Sequence, residues 1–362
     1  MGMISANSPI SDIAEHHRVA LYPSFGRLAD DGQSWKLNIH GVVLEPREIN
    51  LRKRILLRLL KRVMNADPSH FDSELFRRRI DCFIQAGGPG CQIAVRIGDR
   101  CFLLPKRTKR NGHFSGTLRL SRHDVDRLRA DGAVDGNWLQ LALIAPGTEE
   151  RQILGRCLLL EPTGTSVVSD IDDTIKHTDV ASRRSLLANT FLHEFRSIDG
   201  MSNLYRQWAD QGAVFHYVSS SPWQLFDPLS ELCETAGFPC GTMHLRMFRL
   251  RDHMLRRMLL IRRKGKGAVI RSLFRSFPNR RFVLVGDSGE RDPEIYATLA
   301  RKFPQQIERI LIRQLPFRKL DGERMLRLLR RVPTDRWQLF HDPSEIPSDS
   351  VAIDSAVPRV LV

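Results

Sequence analysis

The chain is short of acid, short of aromatic side chains and without any cysteine pattern. Its 41 Asp+Glu face 56 Lys+Arg, for a formal net charge of +15. That balance draws a protein toward polyanions: nucleic acid, an anionic membrane or a phosphorylated substrate. It does not choose among them. Aromatics make up 7% of residues, and no strand interleaves them with basic residues as single-strand RNA readers do, which makes nucleic acid the weaker partner. Cys82, Cys91, Cys101, Cys157, Cys233 and Cys240 lie far apart, with no C-x-x-C and no Cys/His metal spacing. They read as reduced thiols of a cytosolic protein, a disulfide such as Cys82–Cys91 being the alternative. No run of about 20 apolar residues is present, so no membrane-spanning helix is expected. The first residues, MGMISANSPISDIAEHH, lack the apolar core of a signal peptide. A cytoplasmic protein, peripheral on anionic membranes if membrane-bound at all, is the expectation. There are no fixed-period repeats, and the oligomeric state is not legible.

At 362 residues and about 150 per domain, two domains are expected. Short apolar runs fill the first part: WKLNIHGVVLEP, a hairpin around Gly98-Asp99 in CQIAVRIGDRCFLLP, then GHFSGTLRLS, NWLQLALIAPG and GRCLLLEPTG. Turn residues separate them, which predicts an all-β, sandwich-like domain over residues 18–164 behind an extension at 1–17. One segment departs from this. EINLRKRILLRLLKRVMNADP reads as an inserted amphipathic helix over about 48–66, with Ile55, Leu56, Leu59, Leu60 and Val63 on one stripe and Arg54, Arg58, Lys61 and Arg62 on another. From residue 165 strand-like and helical runs alternate, which predicts an α/β domain with a parallel sheet over 165–340. The tail at 341–362 is read as partly unstructured or as an added edge strand. Ligands of such sheets bind at the carboxyl ends of the strands.

Three apolar runs end in polar clusters there: VVSDIDDT, FHYVSSSP and FVLVGDSGERD. Each has an ordinary reading alone: a capped turn, a strand running into a helix cap, a loop. In order, they form D-x-D-x-T, a strand ending in serine, a lysine from KGK, and G-D-x-x-x-x-D. This series resembles the haloacid dehalogenase (HAD) superfamily of phosphohydrolases, and the fold that resemblance implies is a HAD-like Rossmannoid sheet. The chemistry fits the residues. An aspartate can attack a phosphate ester when Mg²⁺ and a lysine neutralise the phosphoryl oxygens. Asp170 is the expected nucleophile and Asp172 the general acid and base. The Asp170 carboxylate, the Asp172 main-chain carbonyl and Asp287 would hold Mg²⁺, with Asp292 binding the metal or orienting its waters. Ser219 would hold phosphoryl oxygens. Either Lys264 or Lys266 would neutralise charge.

The flanking residues narrow the likeness. SDIDDTIKHTDV, YVSSSPWQL and FVLVGDSGERDPEIY are similar to the App1-type phosphatidate phosphatase family, with Ser220 where that family has asparagine. The resemblance implies Mg²⁺-dependent release of phosphate from phosphatidate, with Thr174, Lys176, Ser220 and Trp223 near the substrate. It also favours Lys266 over Lys264, because Lys266 lies twelve residues before Pro278, the spacing that this family resemblance implies. Trp223 also suits plain packing, and His177 and His216 suit ordinary surface or core positions. An anionic-membrane surface is suggested by the 54–62 stripe and by HLRMFRLRDHMLRRMLLIRRKGKG, both of which also suit solvated faces. The alternatives are the same chemistry on another phosphomonoester, such as a nucleic-acid end, a phosphoprotein or a small metabolite, and a non-catalytic anion-binding scaffold.

Overall fold

A computed structural model of the chain describes residues 9–46, 51–146, 151–179, 182–246, 265–316, 322–349 and 351–352. Lys264, most of the basic stretch after His244 and the end of the tail lie outside these residues. So do the side chains of Ile55, Leu56 and Leu59. The chain divides into two compact units, one of residues 1–49 and 84–162, the other of residues 50–83 and 163–362.

The first unit is largely β, with strands β1 (Arg18–Leu21), β2 (Ser24–Leu28), β3 (Ser34–Glu45), β4 (Ala86–Gly87), β5 (Ala94–Ile97), β6 (Arg100–Leu103), β7 (His113–Ser121), β8 (Val134–Asp135), β9 (Trp138–Ala145) and β10 (Arg151–Leu160). Alternation along β3 buries Trp35, Leu37 and Ile39 in an apolar core with Val95, Phe114, Leu139 and Leu159. The expected hairpin joins β5 to β6, with Gly98 at φ 60° in its turn. Where two stacked sheets are expected, the ten strands form one hydrogen-bonded network. The reason is β3: at twelve residues it is long enough to pair with β1 at one end, β2 at the other and β7 along its length.

Helices α1 (Leu51–Met64), α2 (Glu74–Ile84) and α3 (Arg122–Ala130) interrupt these strands in sequence. Helix α3, not foreseen from the apolar pattern, starts at a reciprocal cap between Ser121 and Asp124. The stretch carrying α1 and nearly all of α2 groups with the second unit. There α1 meets α4 (Arg183–Phe191), whose Arg184 Nε donates to Met64 O at 2.9 Å and Nη2 to Asn65 O at 2.9 Å. These bonds satisfy carbonyls that the end of α1 leaves open. Leu60 and Met64 are buried, and Arg54, Arg58 and Arg62 are exposed on another side of α1.

The second unit is mixed α/β. It adds α5 (Met201–Asp210), α6 (Phe226–Thr235), α7 (Lys266–Ser276), α8 (Asp292–Lys302) and α9 (Gly322–Leu328) to six strands. These are β11 (Thr165–Ser169), β12 (Val214–Pro222), β13 (Gly241–Arg246), β14 (Arg281–Asp287), β15 (Ile307–Arg313) and β16 (Trp337–Phe340). All pair in parallel, in the order β13-β12-β11-β14-β15-β16. Strand β11 is buried along its whole length, as a central parallel strand must be when helices cover both faces. The order reverses between β11 and β14. Loops leaving those two strands turn to opposite faces and open a crevice at the carboxyl edge.

Candidate active site

The chain leaves β11 into Asp170 and closes β14 on Asp287, so both acids stand at that crevice. Asp292 is the first residue of α8. Oxygens of Asp170, Asp287 and Asp292 all lie within 4.8 Å of one another, and all three residues are buried. Gly286 permits this approach: a Cβ there would lie 2.8 Å from both Cβ and Cγ of Asp292. Tyr296 Oη donates to Val285 O at 2.9 Å and fastens α8 to β14.

Lys266, at the start of α7, puts its ammonium into the same cluster. Nζ is 2.8 Å from Asp170 Oδ1, bonds Asp292 Oδ1 and is 3.9 Å from Glu290 Oε2. Burial disfavours that ammonium, but the carboxylates of Asp170, Asp292 and Glu290 outweigh it and hold the lysine protonated. Burial is also the largest influence on Asp170, raising it well above the usual carboxylate range. The neighbouring acids add to this and Lys266 opposes it. Asp287 is pushed up to about 8, first by burial and then by Asp292. One lysine does not neutralise four buried carboxylates.

The donor set fits a hard divalent cation. It is all oxygen, it converges, and Asp287 Oδ2 is buried without a hydrogen-bond partner while Oδ1 accepts from Glu290 N at 3.0 Å. Glu290 is the acid that sequence reasoning passed over. It lies inside the quoted GDSGERD motif, and its proximity to Lys266 depends on α7 packing beside the loop.

Asp172 belongs to a second cluster. Its Oδ1 is 3.0 Å from Lys176 Nζ and accepts from Thr178 Oγ1 at 2.9 Å. Its Oδ2 accepts from Ser219 Oγ at 2.7 Å and from Ser221 Oγ at 2.8 Å. Burial acts to raise its proton affinity, but Lys176 and the hydroxyls of Ser219 and Ser221 prevail and hold it well below the usual range. Lys176 is thus engaged by Asp172 and Thr178, and its Nζ is also 4.6 Å from the Phe195 ring centroid. Ser219 serves Asp172, and so does Ser221, which the sequence reading did not single out. Ser220 is half-buried beside them and has no side-chain bond to Asp172. Thr174 Oγ1 donates to Asp170 Oδ2 at 3.3 Å. Trp223 is buried, its ring 6.2 Å from that of Phe226.

Asp173, the third acid of the motif, shapes the loop. It sits at φ 55°, a left-handed conformation that aspartate tolerates better than most residues, and its Oδ1 accepts from the amides of Thr178 and Asp179, each at 2.8 Å. Arg313 Nη1 donates to Asp173 O at 2.9 Å. His216 is fully buried against Thr242, in the core position that suits it. All six cysteines are free thiols. Among the described residues, no helix is long and apolar enough to cross a membrane.

Residues 165–314 match the family model described as phosphatidate phosphatase APP1, catalytic domain. The chain is 41% identical over 159 residues to phosphatidate phosphatase APP1 of Saccharomyces cerevisiae, covering 42% of this chain and 26% of that protein. It is 32% identical over 182 residues to an uncharacterized protein of Schizosaccharomyces pombe, covering 48% of this chain and 30% of that one. The chain therefore spans less than a third of the length of these curated relatives. Among solved structures, an uncharacterized protein from Listeria monocytogenes serotype 4b matches with a TM-score of 0.35 at 14% identity, over 51% of this chain and 96% of that one. A likeness that distant carries no argument. The sequence matches carry one, and they coincide with the segment that bears both carboxylate clusters: residues 165–314 are similar to the App1-type catalytic domain.

Proposed function

We propose that this chain is a Mg²⁺-dependent phosphoric monoester hydrolase with a HAD-like catalytic domain, and that it releases phosphate from phosphatidate at a membrane surface to leave diacylglycerol. One observation carries the chemistry: Asp170, Asp287 and Asp292 converge with Lys266 at the carboxyl edge of a parallel sheet. Bound there by Asp170, Asp287, Asp292 and the Asp172 main-chain carbonyl, Mg²⁺ would neutralise and orient the phosphoryl oxygens.

The chain's own residues do the rest. Asp170 attacks phosphorus; an aspartyl–phosphate bond forms as the ester P–O bond breaks. Lys266 is held charged beside Asp170 and offsets the charge that builds on the phosphoryl oxygens. Asp172 gives its proton to the departing alkoxide. It then takes one from the water that attacks phosphorus and returns Asp170 as inorganic phosphate leaves. The clamp on Asp172 suits the second, basic half of that cycle. For the first half, the negative charge of an arriving phosphate raises its proton affinity.

Two features support a lipid substrate. The curated relative from Saccharomyces cerevisiae is named a phosphatidate phosphatase. Also, Arg54, Arg58 and Arg62 are exposed on α1 and make no ion pair among the described residues. They recur at a spacing of four, so they lie on one flank of the helix. At about 100° per residue, that flank is roughly 140° from buried Leu60 and Met64. Such a face gains about 1 kcal/mol per basic side chain near an anionic bilayer.

The test is phosphate release from phosphatidate vesicles with Mg²⁺, comparing wild type with Asp170→Asn. Release that the substitution abolishes supports the proposal. Release unaffected by it removes the mechanism. Release from sugar phosphates or phosphorylated oligonucleotides but not from lipid removes the substrate assignment and leaves the chemistry.

A further inference from the structure

Lys176 and Arg79 approach one aromatic ring. The Phe195 centroid is 4.6 Å from Lys176 Nζ and 3.8 Å from Arg79 Cζ. Both distances lie within cation–π range, where the negative face of the ring attracts positive charge. Lys176 in turn holds Asp172, while Arg79 belongs to α2, far off in sequence.

Arg79 is placed there at some cost. Its side chain is 2% exposed, and its Nε is buried without a hydrogen-bond partner. Its Nη1 donates to Thr190 O at 2.7 Å and its Nη2 is 3.5 Å from Glu194 Oε2, both just ahead of Phe195. The segment after the ring is tied to the catalytic loop. His177 N donates to Arg196 O at 2.9 Å and Ile198 N to Ile175 O at 2.9 Å. Asn189 Nδ2 donates to Thr178 O at 2.9 Å from α4. The ring therefore stands between a guanidinium fixed on α2 and an ammonium fixed on Asp172. A stapling role alone needs Arg79 and its carbonyl partner. It does not require that Lys176 share the ring.

We infer that Phe195 and Arg79 are positioning residues for Asp172, acting through Lys176, so that helix α2 helps to set the acid–base group. Phe195 confines the ammonium. Arg79 fixes the ring at the position from which it does so. The inference rests on the reading of Asp172 as acid and base.

The test compares Phe195→Leu, which keeps an apolar side chain of similar bulk but removes the ring, with Phe195→Tyr, which keeps the ring. Arg79→Lys and Arg79→Ala are added, and Asp172→Asn checks the underlying reading. Initial rates with Mg²⁺ are measured on phosphatidate and on a soluble phosphomonoester, alongside thermal midpoints. Phe195→Leu should lower kcat roughly 5- to 30-fold with KM unchanged, on both substrates. Phe195→Tyr should restore most of the loss. Arg79→Lys should fall in the same direction, and combining it with Phe195→Leu should cost less than the two losses multiplied, because they act on one ammonium. Equal kcat for Phe195→Leu and wild type would overturn the inference. So would losses in the Leu and Tyr variants that are equal and follow a common fall in midpoint, even if Arg79→Ala fails to fold. Full activity of Asp172→Asn would instead sink the acid–base reading, an outcome separate from the first two.

Discussion

Lys266→Met deletes the buried ammonium and keeps most of the side chain's volume. Nζ touches Asp170 and Asp292 and is 3.9 Å from Glu290; Asp287 is the remaining acid beside it. Among the described residues, no other side-chain ammonium pairs with these four groups. Deleting one member of a buried pair costs about 3–5 kcal/mol, since the charge left behind is uncompensated. Burial and the neighbouring acids raise the proton affinity of Asp170 and Asp287, and proton uptake by them in the variant limits the loss to the low end, about 3 kcal/mol. At roughly 2–4 °C per kcal/mol for a domain of this size, the midpoint in EDTA should fall by about 6–12 °C. Magnesium should then act differently on the two proteins. A ligand at 100 times its Kd stabilises by about 2.7 kcal/mol, and in the variant it meets no resident ammonium. The variant should therefore gain more from Mg²⁺ than wild type does. Scanning calorimetry in EDTA and in excess Mg²⁺ measures both differences. An unchanged midpoint in EDTA, or equal Mg²⁺ increments, would refute the account of a charge-starved cluster.

Gly286→Ala should push Asp292 out of the cluster, since the new methyl would sit 2.8 Å from two of its carbon atoms; calorimetric titration should show Mg²⁺ binding weakened at least tenfold, and retained affinity would mean that Asp292 is dispensable. Replacing Arg54, Arg58 and Arg62 with glutamine should weaken sedimentation with phosphatidylglycerol vesicles by about 100-fold, from about 1 kcal/mol for each side chain; hydrolysis of a soluble phosphomonoester should not change. His113 and His244 are each pushed down to about 4 by burial, from an ordinary 6.5. Between those values the unfolded chain binds protons that the folded chain refuses, so stability is full above about pH 6.5 and falls toward pH 4, by about 1.4 kcal/mol per histidine per pH unit at most. Urea denaturation across that window checks it, and His244→Asn should flatten the slope; a slope unaffected by the substitution would acquit that histidine.

The amino-acid sequence by itself determined which polar strand ends would meet. Fully apolar runs that end in acid, such as VVSDIDD and FVLVGD, mark buried parallel strands whose polar ends meet at one edge. That is enough to group Asp170 with Asp287. Place before a helix left Lys264 and Lys266 both open, and only the family resemblance favoured Lys266. The stripe of arginines on α1 was legible too, because a period of 3.6 is local. Only the tertiary structure decided what each acid touches. Asp172, two residues from Asp170, turns to Lys176, Ser219 and Ser221, and Asp173 goes into the loop's own hydrogen bonds. Lys176, expected near the substrate, pairs with Asp172 and Thr178. Glu290 and the pair Phe195–Arg79 gave no local signal, because their partners come from other elements: Lys266 from α7, and Arg79 from a helix inserted among the strands of the first unit. Period and polarity are properties of neighbouring residues and can be read along the chain. Which charges share a low-dielectric space depends on packing between distant segments, and packing exists only once the chain has folded.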